Sequence, residues 1–271
     1  MAHTLQERYS ALVEAKLRAE AVYANLFNHK YEGDPKAGAV KIPVRDEVAV
    51  GAYDRATGKQ LTVGSTTYIT LPIDQDQAVN ELIDGFEAAA VPDNIVADRL
   101  DSAGYGLAID EDAAKRTALT TDGNYTATGN TTKLTKATAY DAIIDAIQAA
   151  KKAHVRKGTM WLAVSNETYG TLLKDETHFV KASNLGDEIT TTGFVGKIDG
   201  VPVYEDADMT EDFEFILGNS EFCHFVAEFA VPVAVKDLAD GAHIGASAVQ
   251  GRRVYGLKIS KPETVFAKKT A

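Results

Sequence analysis

Six histidines and one cysteine have the readiest chemistry in this 271-residue chain, so their spacing comes first. His3, His29, His154, His178, His224 and His243 lie apart. No two stand in the H-E-x-x-H arrangement that sets two metal ligands on one helical face. Cys223 and His224 are neighbours in a strand-like run, where successive side chains point to opposite faces. A thiolate–imidazole pair needs both on one side, so Cys223 reads as a buried structural residue. No G-x-G-x-x-G follows a strand, and there is no phosphate loop and no G-x-S-x-G turn. Asp237, Asp240 and Gly241 lack the spacing of a calcium-binding EF-hand loop. The one basic run, KKAHVRK (151–157), ends a helical pattern, where the helix dipole accounts for it. No catalytic, cofactor-binding or metal-binding residue is therefore expected, and no cofactor. What remains is a charged cluster on an exposed hairpin: Arg45, Asp46, Glu47, Asp54, Arg55 and Lys59.

Composition narrows the class further. Apolar residues make up 45% and charged residues 25%, the balance of a folded chain with a sizeable core. The net charge of −11 argues against broad electrostatic binding to nucleic acid or anionic lipid. A single cysteine excludes an intrachain disulfide and a cysteine-based metal cluster. The first residues carry no apolar signal core, and no window approaches a membrane span, so synthesis in a cytoplasm is expected.

The elements emerge from periodicity. Residues 91–116 read as one long helix: Val96, Leu100, Ala103, Leu107 and Ala114 fall on one stripe. Pro92 suits its first turn; Asp98 lies early, and Lys115 and Arg116 lie late. Gly104 and Gly106 inside it suggest a closely packed neighbour. Residues 3–28 read as a helix whose apolar face is broken by Lys16 and Glu20, suited to an arm lying on another surface. Residues 40–73 hold two β-rich runs joined by a charged, turn-rich segment, a long hairpin with Pro43 marking an edge strand. Nothing local covers it, so a partner chain is expected. Residues 74–90 read as a short helix capped by Asp74 or Asp76.

A polar stretch, 117–136, marks a boundary. Beyond it come a helix with Tyr140, Ile143, Ile144 and Ile147 on one face, a buried strand at 159–164, and a helix begun by Ser165. Asp199-Gly200 between β runs is a type I′ hairpin pair. Strands at 213–217, 221–236 and 246–267 close the chain, which is α+β without regular βα alternation.

This order of parts resembles the major capsid proteins of tailed bacteriophages, the Hong Kong 97-type shell fold. The resemblance covers nearly the whole chain. Residues 3–30 match the family's N-terminal arm, and 38–73 its extended loop. TTYITLPIDQDQAVNELIDGFEAAAVPDNIVADRLDSAGYGLA is similar to the passage from extended loop into spine helix. KGTMWLAVSNETYGTLLKDETHFV resembles the strand and helix of the axial domain, and GFVGKIDGVPVYE a family hairpin. Residues 222–267, finishing in VYGLKI, resemble the closing strands of the peripheral domain.

The resemblance implies a Hong Kong 97-like α+β fold in four parts: an arm over 1–37, an extended loop over 38–73, a peripheral domain with the spine helix over 74–119 and 223–271, and an axial domain over 120–222. It implies a structural protein, not an enzyme, that assembles with itself as hexamers and pentamers into an icosahedral virion shell around double-stranded DNA. The partners it implies are a separate scaffolding protein or none, a portal and a decoration protein, with only weak non-specific contact to DNA and no membrane. An acidic inner wall would let packaged DNA slide. The alternative is an encapsulin-like shell of the same fold that encloses cargo proteins; a hydrolase would need a cluster that the spacing does not supply. The arm is expected under a neighbour's spine helix and the hairpin over the adjacent subunit. Arg45, Asp46, Glu47, Asp54, Arg55 and Lys59 are its candidate intersubunit contacts, each worth about 0–1 kcal/mol when exposed.

Overall fold

The apolar stripe of the long helix forms as expected: α1 runs Ile95–Thr120, with Ala103 and Leu107 buried against β-structure. The computed structural model describes residues 16, 18–31, 38–86, 95–174, 180–181, 194–238 and 241–270. Pro92 and the start of the long pattern lie outside these residues. At 26 residues α1 spans about 39 Å at about 1.5 Å per residue. Two expectations about it fail. A Cβ on Gly104 or Gly106 would meet nothing within 4 Å, so the chain's own packing does not require these glycines. Lys115 and Arg116 do not end the helix, which continues to Thr120; both are drawn inward to acidic partners instead.

Residues 74–90 are not a helix where described up to 83. They form β3, Gln75–Ile83, whose burial alternates residue by residue. Glutamine, valine and isoleucine fall on one side, aspartate, alanine and asparagine on the other, a period of two. Asp76, expected as a helix cap, pairs across strands with Arg252, Nε donating to Oδ1 at 2.8 Å. Asp76 lies diagonal to Arg252, whose direct partner is Ala78, within reach of long side chains. β3 is held along its length by β11 (Ser247–Ile259), which pairs on its other side with β10 (Cys223–Asp237). The long helix packs on this three-stranded sheet, burying Ile83, Ala103 and Val249 together.

β1 (Ala39–Arg45) and β2 (Thr66–Pro72) pair antiparallel from Ala39–Pro72 to Arg45–Thr66, the hairpin read from the sequence. Its base is covered within the chain: Ile42 and Leu71 are buried against Val226. Gly256 is required there, because a Cβ would lie 2.2 Å from the Pro72 carbonyl oxygen.

Past the short β4 (Thr126–Ala127) lies the larger sheet. It contains β5 (Met160–Ser165), β6 (Val180–Lys181), β7 (Phe194–Ile198), β8 (Val201–Asp206), β9 (Phe213–Asn219) and β12 (Phe266–Lys269). The order is β4-β12-β9-β5-β8-β7-β6, so the last strand of the chain inserts between β4 and β9. Two helices, α2 (Ala139–Lys152) and α3 (Asn166–Leu173), accompany it. Ser165 caps α3, its hydroxyl accepting from the Thr168 N–H at 3.3 Å. Asp199 and Gly200 both have positive φ, 47° and 75°, as a type I′ turn requires.

Alternation along β5 builds two cores. Met160, Leu162 and Val164 join Ile143 and Ile147 of α2 on one face. Trp161 and Ala163 face the other way, against Tyr23, Phe27, Leu119, Phe225 and Tyr255. The second core therefore joins the two sheets, and residues 22–27 of the N-terminal segment fill the joint.

The described part of that segment is not helical. It is stretched along α1: Lys16 pairs with Asp98, Arg18 with Asp101, the Ala19 N–H donates to the Tyr105 hydroxyl, and the Tyr23 N–H to Asp112. Seven residues of arm match fourteen of helix. At about 3.3 Å per extended residue and 1.5 Å per helical one, both cover about 21–23 Å. The broken apolar stripe thus has a local cause: alternate groups bond a helix rather than forming one. The described part of this segment up to Tyr23 lies along α1 of its own chain; residues 1–15 lie outside the described set.

Candidate functional site

Five of the six expected contact residues sit on the outer half of the hairpin, 46–65, beyond the last paired residues, and Arg45 ends β1 opposite Thr66. Asp54 organises the turn. Its carboxylate accepts from the Ala56 N–H at 2.8 Å and the Thr57 hydroxyl at 2.9 Å, and its carbonyl accepts from the Gly58 N–H at 2.8 Å. These donors hold its carboxyl below the usual carboxylate range. Lys59 donates to the Ala49 carbonyl at 2.6 Å, tying the two sides of the loop. Asp46 accepts from the Ser65 hydroxyl. Arg45, Glu47 and Arg55 are exposed and make no side-chain bond among the described residues. Three of the six charges thus shape the loop, three stand free, and none pairs with another of the six.

The sequence reading missed the apolar groups between them. Leu61 is 100% exposed, Val63 98% and Val50 95%, with Val48 and Tyr53 also open to solvent. The signal was present as the runs V-A-V and L-T-V in strand-like segments. Exposed singly, such residues need no explanation; five between residues 48 and 63 concentrate uncovered apolar surface on one loop.

A second missed feature lies beneath the arm. Arg116 donates to Asp206 twice, Nε to Oδ2 at 2.7 Å and Nη2 to Oδ1 at 2.9 Å. Asp112 lies 3.5 Å from the same guanidinium, and the Tyr23 hydroxyl donates to Asp206 at 2.8 Å. Asp112 and Asp206 are buried and Arg116 is 12% exposed. Burial raises the Asp112 carboxyl, opposed by the Tyr23 and Val22 N–H groups and by Arg116. Burial, followed by the Asp206 charge, raises the Tyr23 phenol well above its ordinary value. Arm, spine helix and larger sheet meet here. Only the i, i+4 pair Asp112–Arg116 was legible from spacing; Tyr23 and Asp206 are 89 and 90 residues or more away from it.

Nothing resembling a reaction centre emerges among the described residues. Cys223 is packed in the core that joins the sheets, whereas the His224 ring meets Ser260 and Tyr31; burial pushes the thiol up to about 12 and lowers the imidazole. No group of three or more potential metal ligands occurs there, and no helix is long and apolar enough to cross a membrane. A cavity of about 630 Å³ beside α2 is floored by Ala142, Ala146 and Phe266. Its Lys268 is bonded to Asn130 and its Lys133 to Glu167, so neither is an unpaired base.

A projecting loop with uncovered apolar groups, an arm strapped to a spine helix and two sheets joined by one core define the subunit of a Hong Kong 97-like shell, a structural protein. A family model described as phage capsid protein matches residues 85–267, and the chain belongs to that family. Solved structures agree in fold. One from Mycobacterium phage Che8 is 22% identical with a TM-score of 0.76, covering 98% of this chain and 97% of that one. The capsid of cyanophage P-SCSP1u is 12% identical at 0.74, covering 98% and 93%. The mature capsid of bacteriophage PhiM1 is 15% identical at 0.71, covering 99% and 92%. No curated protein matches. The family makes this chain a capsid protein that assembles with copies of itself in a virion, and its fold is structural rather than enzymatic.

Proposed function

We propose that the protein is the major capsid subunit that closes an icosahedral shell around the double-stranded DNA of a tailed phage. The observation that carries this is the hairpin tip. A lone subunit leaves Val50, Leu61 and Val63 in water, and a neighbour would cover them. Burying apolar surface contributes about 25 cal/mol per Å². The free Arg45, Glu47 and Arg55 at the rim set register more than strength.

In this reading the axial domain, residues 120–222, gathers subunits into hexamers and pentamers. The peripheral domain, 74–119 with 223–271, carries the spine helix between capsomers. The arm over 1–37 and the extended loop over 38–73 fasten the shell. A separate scaffolding protein guides closure in the host cytoplasm, a portal takes one vertex, and a decoration protein binds outside. DNA makes only weak, non-specific contacts. A cargo-enclosing compartment of the same fold is the less favoured reading, since the three similar solved structures named above come from phages.

Electron microscopy of the purified protein, with sizing by light scattering, tests the proposal. Closed polyhedral particles or capsomer rings are expected, and native particles should hold nuclease-protected DNA. Deleting residues 50–60 should leave a folded subunit that no longer closes shells. Normal shells from that deletion would refute the role given to the hairpin.

A further inference from the structure

The turn between α2 and β5 carries more positive charge than its fold needs. α2 ends in a Schellman closure: the Val155 N–H bonds the Ala150 carbonyl and the His154 N–H the Lys151 carbonyl, both at 3.0 Å. A third bond, Ala153 N–H to Ala149 carbonyl, is also 3.0 Å. Val155 and Ala150 are buried in the same core, completing the cap with an apolar contact. The Ala149, Ala150 and Lys151 carbonyls are thus satisfied by backbone, and the side chains of Lys151, Lys152, Arg156 and Lys157 are not needed to cap them. The dipole reading of this run therefore explains too little. Glycine usually fills the left-handed position that ends such a helix; here His154 occupies it at φ 61°, adding an imidazole to the turn.

The geometry already shows what the turn binds. Lys151 and Lys157 both reach the Asp199 carboxylate of the β7–β8 turn, each at 2.7 Å, one to each oxygen. They hold that carboxyl below its ordinary range. One anion is therefore seated between two ammonium groups at the surface. Lys152, His154 and Arg156 are exposed beside it in sequence, with no bonded side-chain partner among the described residues. Four fixed cations against one carboxylate leave a net positive turn on a chain of net charge −11.

We infer that residues 151–157 form a contact for the phosphodiester backbone of DNA. This rests on the shell reading above and says where the weak DNA contact lies. Duplex DNA presents one charge per about 1.7 Å of axis, which a short row of lysine and arginine can meet without reading bases. Asp199 competes for the same cations and keeps the contact weak, so DNA is held against the wall and still moves.

The test uses the full-length protein and a fluorescent duplex of about 30 base pairs, with anisotropy measured across a salt series. Wild type should bind weakly, with affinity falling as salt rises. Lys152→Glu with Arg156→Glu should weaken binding at least tenfold and reduce the salt slope by about 2, at about 0.9 per phosphate contact. Asp199→Asn is the decisive variant. Asparagine suits the positive φ of the turn, and its loss of charge frees Lys151 and Lys157. Binding should strengthen several-fold and the slope steepen, which no merely structural role produces. Unchanged binding in both variants, or weaker binding in Asp199→Asn, would overturn the inference. Equal binding of polyglutamate would do so as well, pointing to an acidic protein partner. Microscopy separates the two readings. If wild type forms shells and the double variant does not, the turn meets another subunit and the DNA contact fails alone. If wild type forms none, the shell reading fails.

Discussion

Asp206 receives two bonds from Arg116 and one from Tyr23 in a site with almost no access to water. Removing one partner of such a pair leaves the other charge buried and unpaired. Asp206→Ala should therefore lower unfolding stability by about 3–5 kcal/mol, read by urea denaturation. Asp112→Asn should cost under about 1 kcal/mol, because an amide oxygen still accepts from Tyr23 and Arg116 keeps Asp206. The pH dependence of Asp112 has a definite sign. Its native pKa is raised, so the folded state binds the proton more tightly than the unfolded chain does. Its contribution to stability is greatest in acid and is lost as pH rises from the ordinary carboxyl value through the raised native one. Asp112→Asn should remove that decline; an unchanged pH profile would place the ionised form in the fold without penalty. Cys223 gives a simpler check. Fully buried with its pKa near 12, it should resist thiol reagents until denaturant is added, then release one equivalent per chain.

At the scale of elements, β5, β7, β8, β9, α2, α3 and the hairpin were readable because each carries its own period or turn; β4 falls in the stretch read as a boundary, and 246–267, read as one run, divides into β11 and β12 of different sheets. Residues 160–164 are apolar throughout, Asp199-Gly200 accepts positive φ, and Ser165 caps α3. β3 was misread because Val79, Leu82 and Ile83 satisfy a helical spacing, whereas in the strand only Val79 and Ile83 share the inner face and Leu82 points outward. The choice fell to β11, whose unpaired edge accepts a strand and whose Arg252 meets Asp76. The arm was misread in the same way. Tyr23 and Phe27 share a helical face, yet the Tyr23 N–H serves Asp112 and the backbone of Asn28 pairs with the start of β10. The hairpin base makes its own prediction. Gly256→Ala would drive a methyl group into the Pro72 carbonyl, costing about 1–3 kcal/mol. The subunit should remain folded while protease sensitivity rises in 38–73. Unaltered digestion would show that the base can shift without loss.

For the whole molecule, charge and apolar surface act against each other. Subunits of net charge −11 repel, and the hairpin tips attract through groups indifferent to salt. Screening shortens from about 10 Å at 0.1 M to about 3 Å at 1 M ionic strength. Raising salt should therefore lower the protein concentration at which particles appear by light scattering. A rise instead would give the leading role to the exposed charges Arg45, Glu47 and Arg55. The sequence by itself determined the α+β class, the long helix, the paired hairpin and the capsid family resemblance. Each rests on local spacing, composition or the order of parts. Only the tertiary structure decided that residues 18–22 run extended along α1 before a turn at 24–26, that 75–83 form a strand, and that Asp112, Arg116 and Asp206 lock three elements together. The physical reason is common to all three. Where local propensity leaves two conformations close in energy, the one that satisfies buried polar groups on distant segments prevails, and those segments are invisible to spacing.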